Sequence, residues 1–482
     1  MPEPPENGNM SYSKWIQLIN NLSSSQWNEQ KYASFFATVD YDFNNTYTLN
    51  AALRTDGSNN FGAKEQFNPT YSIGAAWNID NERFWRSIKP VINRLTMRVS
   101  YGFTGNVVQG MLKSLVISTG RKKWNDHITG TVKNAPNPHL RWERTRDMKL
   151  GIDMGLFNNR LNINTEIYEK LSSDIITRVG TVSTTGFTAY SFNTSKIRNR
   201  GLEISIYGTP IKTKKLTLST SVNLSWNRNE LVKFVAPLFG VSDGKYQGYP
   251  LDAIFNGIST GIDKETGYYN MKTVPNAKFE TIADKKNVAN YKFYLGTRNA
   301  PYSGGGSINV SYERFTFSVQ AAYSIGGKAL NEINSPVNYS MVGYSRNNTP
   351  QTSFSDIYTN HLNVARDRMD RWTTENREGT KYPRIVDAFG APLNLEGNMV
   401  TGSNIMDGIY LQETSFLRIR NISLSYLFNK NVTETLGLSN LGITCSAQNF
   451  FTFTNFRGID PEQPGLTYPI TRSVTFGLQI GF

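Results

Sequence analysis

Apolar and polar residues alternate strictly through most of this sequence, in runs such as residues 33–43, 148–156, 216–226 and 315–325. Alternation with a period of two indicates β-strands whose two faces differ in polarity. Strands of soluble proteins usually have about 5–6 residues, whereas a tilted strand that crosses a membrane needs about 9–11. The runs have the longer length. The sequence therefore predicts an all-β chain that forms a transmembrane antiparallel β-barrel, with a lipid-facing exterior and a polar lumen.

The connections between these runs alternate between short and long. The short ones are residues 44–45, 157–160, 209–214 and 313–314. The long ones are residues 105–138, 229–303 and 327–410. Outer-membrane barrels have short periplasmic turns and long extracellular loops, so we expect the long connections to be extracellular. The intermediate connection at residues 80–93 is expected to hold a helical turn.

We count about 13 strands, of which the last ends at Phe482. If that strand descends to the periplasm, the long loops are extracellular only when the first strand descends too. A complete barrel begins with an ascending strand and has an even number of strands, about 22 in the large transporters. We therefore expect residues 31–482 to be the C-terminal part of a barrel, preceded by a partly ordered segment or loop at residues 1–30.

Composition and charge limit the classes of partner that this protein can bind. The net charge is +13, and much of the excess lies in expected loops rather than along one strand or helix face, which argues against nucleic acid. Anionic lipid headgroups or acidic ligands at a cell surface are the better expectation. No run of 18 apolar residues predicts a membrane helix, and the first ten residues lack the pattern of a signal peptide.

Six segments resemble motifs of the SusC/RagA family of TonB-linked outer-membrane proteins from Bacteroidetes-type bacteria. They occur in the order in which the family has them, and the resemblance covers roughly residues 31–482. The segments are RTDGSNNFG (54–62), LTMRVSYGFTGN (95–106), NPHLRWERTRDMKLGIDMGLFNNRLN (137–162), KIRNRGLEISIYGTPI (196–211), SFLRIRNISLSY (415–426) and AQNFFTFTNFRGIDPE (447–462).

The resemblance implies a TonB-driven importer of large nutrients, such as oligosaccharides or peptides, in the outer membrane. It also implies a SusD-like surface lipoprotein that covers the extracellular loops as a lid. Family members carry a signal peptide, a TonB box and a plug domain before the barrel. We expect those parts to lie outside this sequence, so that the TonB complex would act only through them. The resemblance implies no cofactor.

Aromatic residues in the expected long loops are the candidate ligand contacts. They can stack on sugars or contact the lid protein, and the alternative is that they only pack the loops together. The candidates are Trp124, Tyr246, Tyr249, Tyr268, Tyr269, Tyr344 and Trp372, and Tyr339 and Tyr358 belong to the same group.

The last strand carries a second candidate feature. The segment FGLQIGF ends in an aromatic residue after alternating apolar positions, and it resembles the signal by which the barrel-assembly machinery recognises its clients. Phe476, Gly477, Ile480 and Phe482 are the residues of this expected signal. The alternative is a strand that simply ends the domain.

The sequence predicts neither an enzyme nor a metal protein. The three histidines, His127, His139 and His361, lack the spacing of metal ligands, and no nucleophile is placed near them. If the chain is not part of an active transporter, the remaining hypotheses are a passive porin or a surface-adhesive β-protein.

Overall fold

The computed structural model describes residues 31–59, 66–106, 116–124, 127–134, 137, 139–180, 182–187, 189–234, 246–275, 288–330, 370–384, 393–394, 411–465 and 468–482. Within these residues the chain is almost entirely β-structure. In chain order the strands are β1 (Tyr32–Phe43), β2 (Tyr47–Ser58), β3 (Phe67–Asn78), β4 (Ile92–Asn106), β5 (Val116–Trp124), β6 (His127–Asn134), β7 (Glu143–Leu156), β8 (Leu161–Gly180), β9 (Ala189–Lys212), β10 (Leu216–Lys233), β11 (Ala253–Asn256), β12 (Ser259–Ile262), β13 (Tyr269–Met271), β14 (Phe293–Thr297), β15 (Tyr302–Tyr312), β16 (Phe315–Ile325), β17 (Lys328–Leu330), β18 (Leu393–Asn394), β19 (Leu411–Glu413), β20 (Phe416–Leu427), β21 (Asn440–Thr454) and β22 (Ser473–Gly481).

Thirteen of these strands form one large antiparallel sheet, in the order β1-β2-β3-β4-β7-β8-β9-β10-β15-β16-β20-β21-β22. Each strand pairs with the strands before and after it in this series, which is the meander of an up-and-down barrel wall. The strands have 9 to 24 residues, long enough for a tilted crossing of a bilayer. The predicted fold class and the expected number of strands are confirmed.

The two faces of the large sheet differ in polarity, as the alternation predicts. Val222 and Leu224 of β10 lie in register with Ile206 and Ile204 of β9, and together they form part of a continuous apolar face. Val222 is 45% exposed and Leu224 is 42% exposed. Apolar side chains left in contact with solvent on this scale are typical of a surface that lipid covers. We call this the apolar face, and the opposite one the polar face.

The short connections lie at one end of the sheet. Between β1 and β2 the chain turns at Asn44 and Asn45, whose φ angles are 56° and 53°. The carboxylate of Asp42 accepts a hydrogen bond from the amide of Asn45 at 2.8 Å. Asparagine tolerates this left-handed conformation because its short polar side chain can bond locally. The predicted turn is therefore confirmed.

The connection between β9 and β10 differs from the expectation. It consists of residues 213–215 instead of 209–214, because β9 continues to Lys212. A bulge makes this continuation possible: Gly208 pairs with Thr220 and Ile211 pairs with Leu218, so Pro210 has no ladder position of its own. Proline lacks the amide hydrogen that a ladder position requires, and bulges are where strands accommodate it.

The connection between β3 and β4 holds short 3-10 turns, as expected, at Ile79–Asn81 and Arg83–Ser87. Glu82 between them accepts hydrogen bonds from the Tyr47 hydroxyl at 2.5 Å and from the Trp77 indole nitrogen at 3.2 Å. The two rings stack with centroids 6.4 Å apart. Aromatic rings with one polar end are characteristic of the membrane–water interface, so this arrangement indicates where the apolar face ends.

The long connections lie at the other end, and most of the buried side chains are there. Small sheets form among them: β5 with β6, β11 with β14, β12 with β13 and β18, and β17 with β19. Two further 3-10 turns lie in connections at this end, at Ser183–Thr185 and Val288–Tyr291. At the opposite, short-turn end, the α-helix α1 (Lys430–Thr435) lies in the connection between β20 and β21. None of the helices in the described residues is long and apolar enough to cross a membrane.

Candidate functional site

The polar face carries pairs of opposite charge between neighbouring strands. Arg98 of β4 contacts Asp153 of β7 at 2.8 Å, and Lys149 of β7 contacts Glu166 of β8 at 3.1 Å. Such pairs neutralise the charged groups of a sheet surface that no apolar layer covers. They are expected where a wall faces an aqueous lumen.

A cleft of about 920 Å³ lies on the polar face, where the large sheet meets the long connections. We call it the polar cleft. Strands β10, β15, β16 and β20 form its wall, and segments from the connections lie across it. Its polar lining residues are Asn223, Asn256, Arg298, Asn299, Ser303, Ser324, Lys328, Thr414, Arg420 and Glu462, and its apolar ones include Ile254, Leu411 and Phe416. Amides, hydroxyls and cations around an accessible cavity are suited to a hydroxyl-rich or anionic ligand.

Two of the cations in the polar cleft have no ion-pair partner within the described part of the chain: Arg298, which is exposed, and Lys328, which is half-buried. The Lys328 side chain crosses Gly296, where an added Cβ would lie 3.1 Å from Lys328 Cδ. Gly296 has a φ of +130°, which glycine adopts without strain. Glycine at this position thus leaves space for the lysine over the cleft.

An ion network closes one side of the polar cleft. Arg418 of β20 donates hydrogen bonds to Asp460 and Glu462, both at 2.7 Å, and Arg420 pairs with Glu462. The side chains of Arg418 and Asp460 are only 3% and 6% exposed. Both carboxylates belong to the connection between β21 and β22, residues 455–465 and 468–472, which we call the last loop. The network therefore fixes the last loop against the inner wall.

Asp460 is held in its ionised form. Burial alone would raise the pKa of Asp460, but the amide of Glu462 and the guanidinium of Arg418 outweigh burial, so that the pKa lies below its usual value. The amide of Glu462 donates to Asp460 Oδ1 at 2.9 Å. Hydrogen bonds and an adjacent cation both favour the charged carboxylate.

Two of the predicted ligand contacts lie together in an aromatic cluster. Tyr246 and Tyr249 both contact Phe255, with ring centroids 4.1 and 4.9 Å apart, and Tyr249 contacts Tyr294 at 5.0 Å. Tyr249 is 39% exposed and Tyr294 is 43% exposed. The cluster both packs the connection after β10 and presents ring surface at the long-connection end.

Three other predicted contacts lie in a second group, where packing is prominent. Trp372 is 6% exposed, and its indole nitrogen donates to the Lys264 carbonyl at 2.9 Å. The guanidinium of Arg384 lies 5.5 Å from the ring centroids of both Trp372 and Tyr268. Tyr269 is 5% exposed. A ligand role for these residues remains a prediction, and their observed contacts join two connections that are distant in sequence.

Trp124 is the last residue of β5, and the structure does not describe its side chain. Tyr344, Tyr339 and Tyr358 lie outside the described residues. In β22, Phe476 and Ile480 lie on the apolar face and pair with Cys445 and Leu441 of β21. Phe476 is 80% exposed and Phe482 is 96% exposed, so both are accessible; the assembly role of these residues and of Gly477 remains a prediction.

In the described part of the chain, no group of three or more histidine, cysteine, aspartate or glutamate side chains could hold a metal ion. His139 is exposed, the side chain of His127 is not described, and His361 lies outside the described residues.

The ion network was not expected from the sequence. Arg418 and Arg420 are two residues apart, and so are Asp460 and Glu462, which is the spacing of side chains on one face of extended chain. That matched spacing of two cations and two carboxylates was the available signal. It did not reveal that segments more than 40 residues apart would meet.

The comparisons with known proteins agree with this architecture. The family model described as "TonB dependent receptor-like, beta-barrel" matches residues 5–325. The TonB-dependent receptor P39 of Formosa agariphila is 27% identical and matches 97% of this chain and 48% of its own length. The TonB-dependent receptor SusC of Bacteroides thetaiotaomicron is 26% identical and matches 93% of this chain and 43% of its own length. The chain thus spans about half the length of the curated relatives it matches.

A solved structure of the RagAB peptide transporter has the same fold. It superposes with a TM-score of 0.76 over 94% of this chain and 48% of its own chain, at 23% sequence identity.

Proposed function

The chain belongs to the TonB-dependent receptor-like β-barrel family, a family of transporters of the outer membrane, and from that premise we propose that it forms the C-terminal barrel wall of an active importer of large nutrients. The apolar face of the large sheet is in contact with lipid, and the polar face lines the path of the nutrient. The importer is of the SusC/RagA type, in agreement with the relatives named above.

The observation that carries this proposal is the polar cleft on the luminal side of the wall. Its volume of about 920 Å³ is at the upper end of the range for small-ligand sites, about 300–1,000 Å³. Asn223, Ser303 and Ser324 belong to the wall itself, and Asn256 and Thr414 belong to the long connections. A ligand held between the two would contact both, so movement of the connections would capture or release it.

The nutrients we propose are oligosaccharides or peptides. Both carry many hydrogen-bonding groups, and the amides and hydroxyls of the cleft can pair with either. Arg298 and Lys328 would pair with acidic groups on the nutrient. The cluster formed by Tyr246, Tyr249, Phe255 and Tyr294 supports a stacking surface nearer the cell exterior.

The proposed partners follow from the same assignment. A SusD-like lipoprotein would cover the long connections, where exposed aromatic rings such as Tyr249 and Tyr294 would be buried on contact. The TonB complex would supply energy through a segment of the whole protein that lies outside residues 1–482. The barrel-assembly machinery would insert the wall.

Uptake by intact cells tests the proposal. Cells that produce the protein in its natural form are grown on a panel of complex glycans and peptide hydrolysates as sole carbon or nitrogen source. We expect growth on at least one of them to depend on the gene and on TonB. The double substitution Arg298→Gln with Lys328→Gln should slow uptake of that nutrient. The substitution Lys264→Gln should not, because Lys264 lies outside the cleft in an exposed pair with Glu378.

The outcomes separate the alternatives. Uptake that depends on the gene but persists without TonB would indicate a passive porin. If deletion of the gene abolishes attachment of the cells to a surface and leaves growth on every nutrient unchanged, the protein is adhesive.

A further inference from the structure

Beyond the apolar face, towards the long-connection end, four arginines and two glutamates lie together on the outside of the wall. Along β10 the residues on this face are Val222, Leu224 and Trp226, followed by Arg228 and Glu230. The paired residues of β9 also change from apolar to charged towards this end. Leu202 lies opposite Trp226, Arg200 opposite Arg228, and Arg198 opposite Glu230. The remaining two, Arg146 of β7 and Glu169 of β8, belong to the same face. We call these six residues the rim patch.

The rim patch lies at the height of the lipid headgroups. Arg228 follows Leu218, an apolar-face residue near the short-turn end of β10, by ten residues. A tilted strand needs about 9–11 residues to cross the hydrocarbon core. Trp226 and Tyr302, which pair with each other just below Arg228, have the aromatic character of the interface.

The charges within the patch do not balance. Glu169 pairs with Arg146 and with Arg200, both at 2.7 Å, and lies 4.0 Å from Arg198. Glu230 pairs with Arg198 at 3.6 Å. Four guanidinium groups thus share two carboxylates, and Arg228 has no ion pair among the residues that the structure describes. The patch has an excess of positive charge on a surface that adjoins lipid.

The register places two of these cations side by side. Arg200 is directly opposite Arg228 in the antiparallel pair of β9 and β10. Like charges at directly opposite positions destabilise a sheet, since their Cβ atoms are about 4.5–5.5 Å apart. Both side chains are exposed, and Arg200 is 53% exposed. An anion that both guanidinium groups can reach would relieve this repulsion.

Asp252 lies near Arg228 but forms no ion pair with it among the residues that the structure describes. Asp252 and Arg228 both influence Tyr294: burial raises the pKa of this tyrosine, Asp252 raises it further, and Arg228 lowers it. The Asp252 carboxylate accepts a hydrogen bond from the Asn299 amide at 2.7 Å. Asp252 is therefore engaged with the connection after β14.

We propose that the rim patch binds the phosphate of an anionic outer-leaflet lipid, such as lipopolysaccharide, with Arg200 and Arg228 as the contacting residues. Arginine presents planar, bidentate donors that suit phosphate oxygens. The acyl chains of the same molecule would lie along the apolar face below, against Leu202 and Trp226. This continuity between cationic rim and apolar face favours a membrane lipid over a soluble anion. The proposal depends on the place of the chain in the outer membrane and not on transport.

Lipid retention and affinity test the proposal. The protein is extracted from outer membranes in mild detergent as wild type, as Arg228→Gln, and as Arg200→Gln with Arg228→Gln. Mass spectrometry of the intact complexes counts the retained phosphorylated lipid. Delipidated protein is then titrated with lipopolysaccharide from the same cells, with that lipid after removal of its phosphate, and with inorganic phosphate.

We expect Arg228→Gln to weaken binding of the intact lipid about tenfold, because a hydrogen bond to a charged group contributes about 1.4 kcal/mol or more. Removal of the phosphate from the lipid should weaken binding to the wild type at least as much. The control Arg314→Gln makes the same charge change at the short-turn end, next to Glu313, and should leave binding unchanged.

Arg228 has no ion pair among the residues that the structure describes, so Arg228→Gln leaves the contacts of Glu169 intact. Equal binding of the intact and dephosphorylated lipid, or equal binding by wild type and Arg228→Gln, would overturn the proposal. Inorganic phosphate that binds as tightly as the lipid would also overturn it, since the ligand would then be a soluble anion.

Discussion

Neighbouring residues of one strand have opposite environments in this protein. Val222 lies on the apolar face between Ile206 and Gly306, whereas Asn223 lies on the polar face and lines the polar cleft. The assignment of each residue to a face follows from the period of two alone, and here the sequence sufficed. A charge at the bilayer midplane is costly, while the same charge in an aqueous lumen is solvated.

We expect Val222→Arg to destabilise the folded barrel by about 2–4 kcal/mol and Asn223→Arg to have little effect on folding. The measurement is the fraction of heat-modifiable, folded protein in outer membranes, at matched expression. Asn223→Arg is the control, because it introduces the same side chain one position away. Similar folded fractions for the two variants would show that the faces are assigned wrongly.

Arg418 could not be assigned a role from the sequence. The register of β20 shifts between Ile419 and Asn421, just after Arg418, so the period of two is interrupted there. The partners of Arg418 lie in the last loop, and no local pattern connects the two. Because its side chain is buried, Arg418 needs carboxylate partners. A buried arginine without carboxylates would be strongly unfavourable, so the Arg418 side chain and the last loop depend on each other.

We expect Arg418→Met to destabilise the last loop by about 3–5 kcal/mol, because Asp460 would remain buried without its cation. Arg420→Met should have a smaller effect, since Arg420 is 34% exposed and solvent can replace its pairing. Limited proteolysis of the purified protein, with cleavage sites identified by mass spectrometry, would measure exposure of the last loop. Identical cleavage of both variants and the wild type would mean that the network does not hold the loop.

At the scale of elements, the strands of the large sheet could be predicted, and the small sheets of the connections could not. A strand of 12 residues displays its period several times, whereas β11, β12 and β17 have only 4, 4 and 3 residues. Short segments of that kind are determined by the tertiary contacts around them. The number of strands and the alternation of long and short connections were therefore accessible, and the shape of the polar cleft was not.

The glycines of β15 lie where the neighbouring strands leave no space for a side chain. An added Cβ at Gly304 would lie 2.1 Å from the Asn223 carbonyl oxygen, and one at Gly306 would lie 2.7 Å from the Ser221 carbonyl oxygen. In both cases the obstacle is backbone of the adjacent strand. These glycines permit close approach of β15 to β10, which side chains would prevent.

We expect Gly304→Ala to reduce the folded fraction of the protein severalfold, because β15 would have to separate from β10. Gly74→Ala in β3 is the control, since its Cβ would meet the Val99 carbonyl oxygen at an ordinary 3.6 Å. Heat modifiability on gels would report both variants. The close approach would be irrelevant to stability if the two alanine variants folded equally well.

The last strand gives a prediction about assembly. We propose that β22 with Phe482 is read by the assembly machinery, so Phe482→Ala should lower the amount of folded barrel in the outer membrane. Phe482→Tyr should keep the wild-type amount of folded barrel, because an aromatic ring is what the machinery is proposed to recognise. Phe482 is 96% exposed and so makes few contacts within the fold. If purified Phe482→Ala protein unfolded more readily than the wild type, the effect would lie in stability instead.

For the molecule as a whole, the two edges of the large sheet determine whether it is stable in a membrane. In the described structure β1 pairs only with β2, and β22 pairs only with β21. An unpaired edge within a bilayer leaves backbone amides and carbonyls without partners, at a cost of several kcal/mol for each group. Because the chain spans about half the length of its curated relatives, we propose that further strands of the whole protein pair with these two edges.

Residues 1–482 produced alone should therefore aggregate or be degraded, and co-production of the remainder of the whole protein should restore a protease-resistant barrel. Pairing at β1 and β22 would then satisfy the backbone groups, and uptake of the nutrient would return together with TonB dependence. Protease protection in outer membranes and growth on the nutrient are the two measurements. The matched control is the whole protein made as one chain. Protease resistance of residues 1–482 alone would show that β1 and β22 can close the sheet without further strands, and nutrient uptake by that fragment would favour a self-sufficient porin.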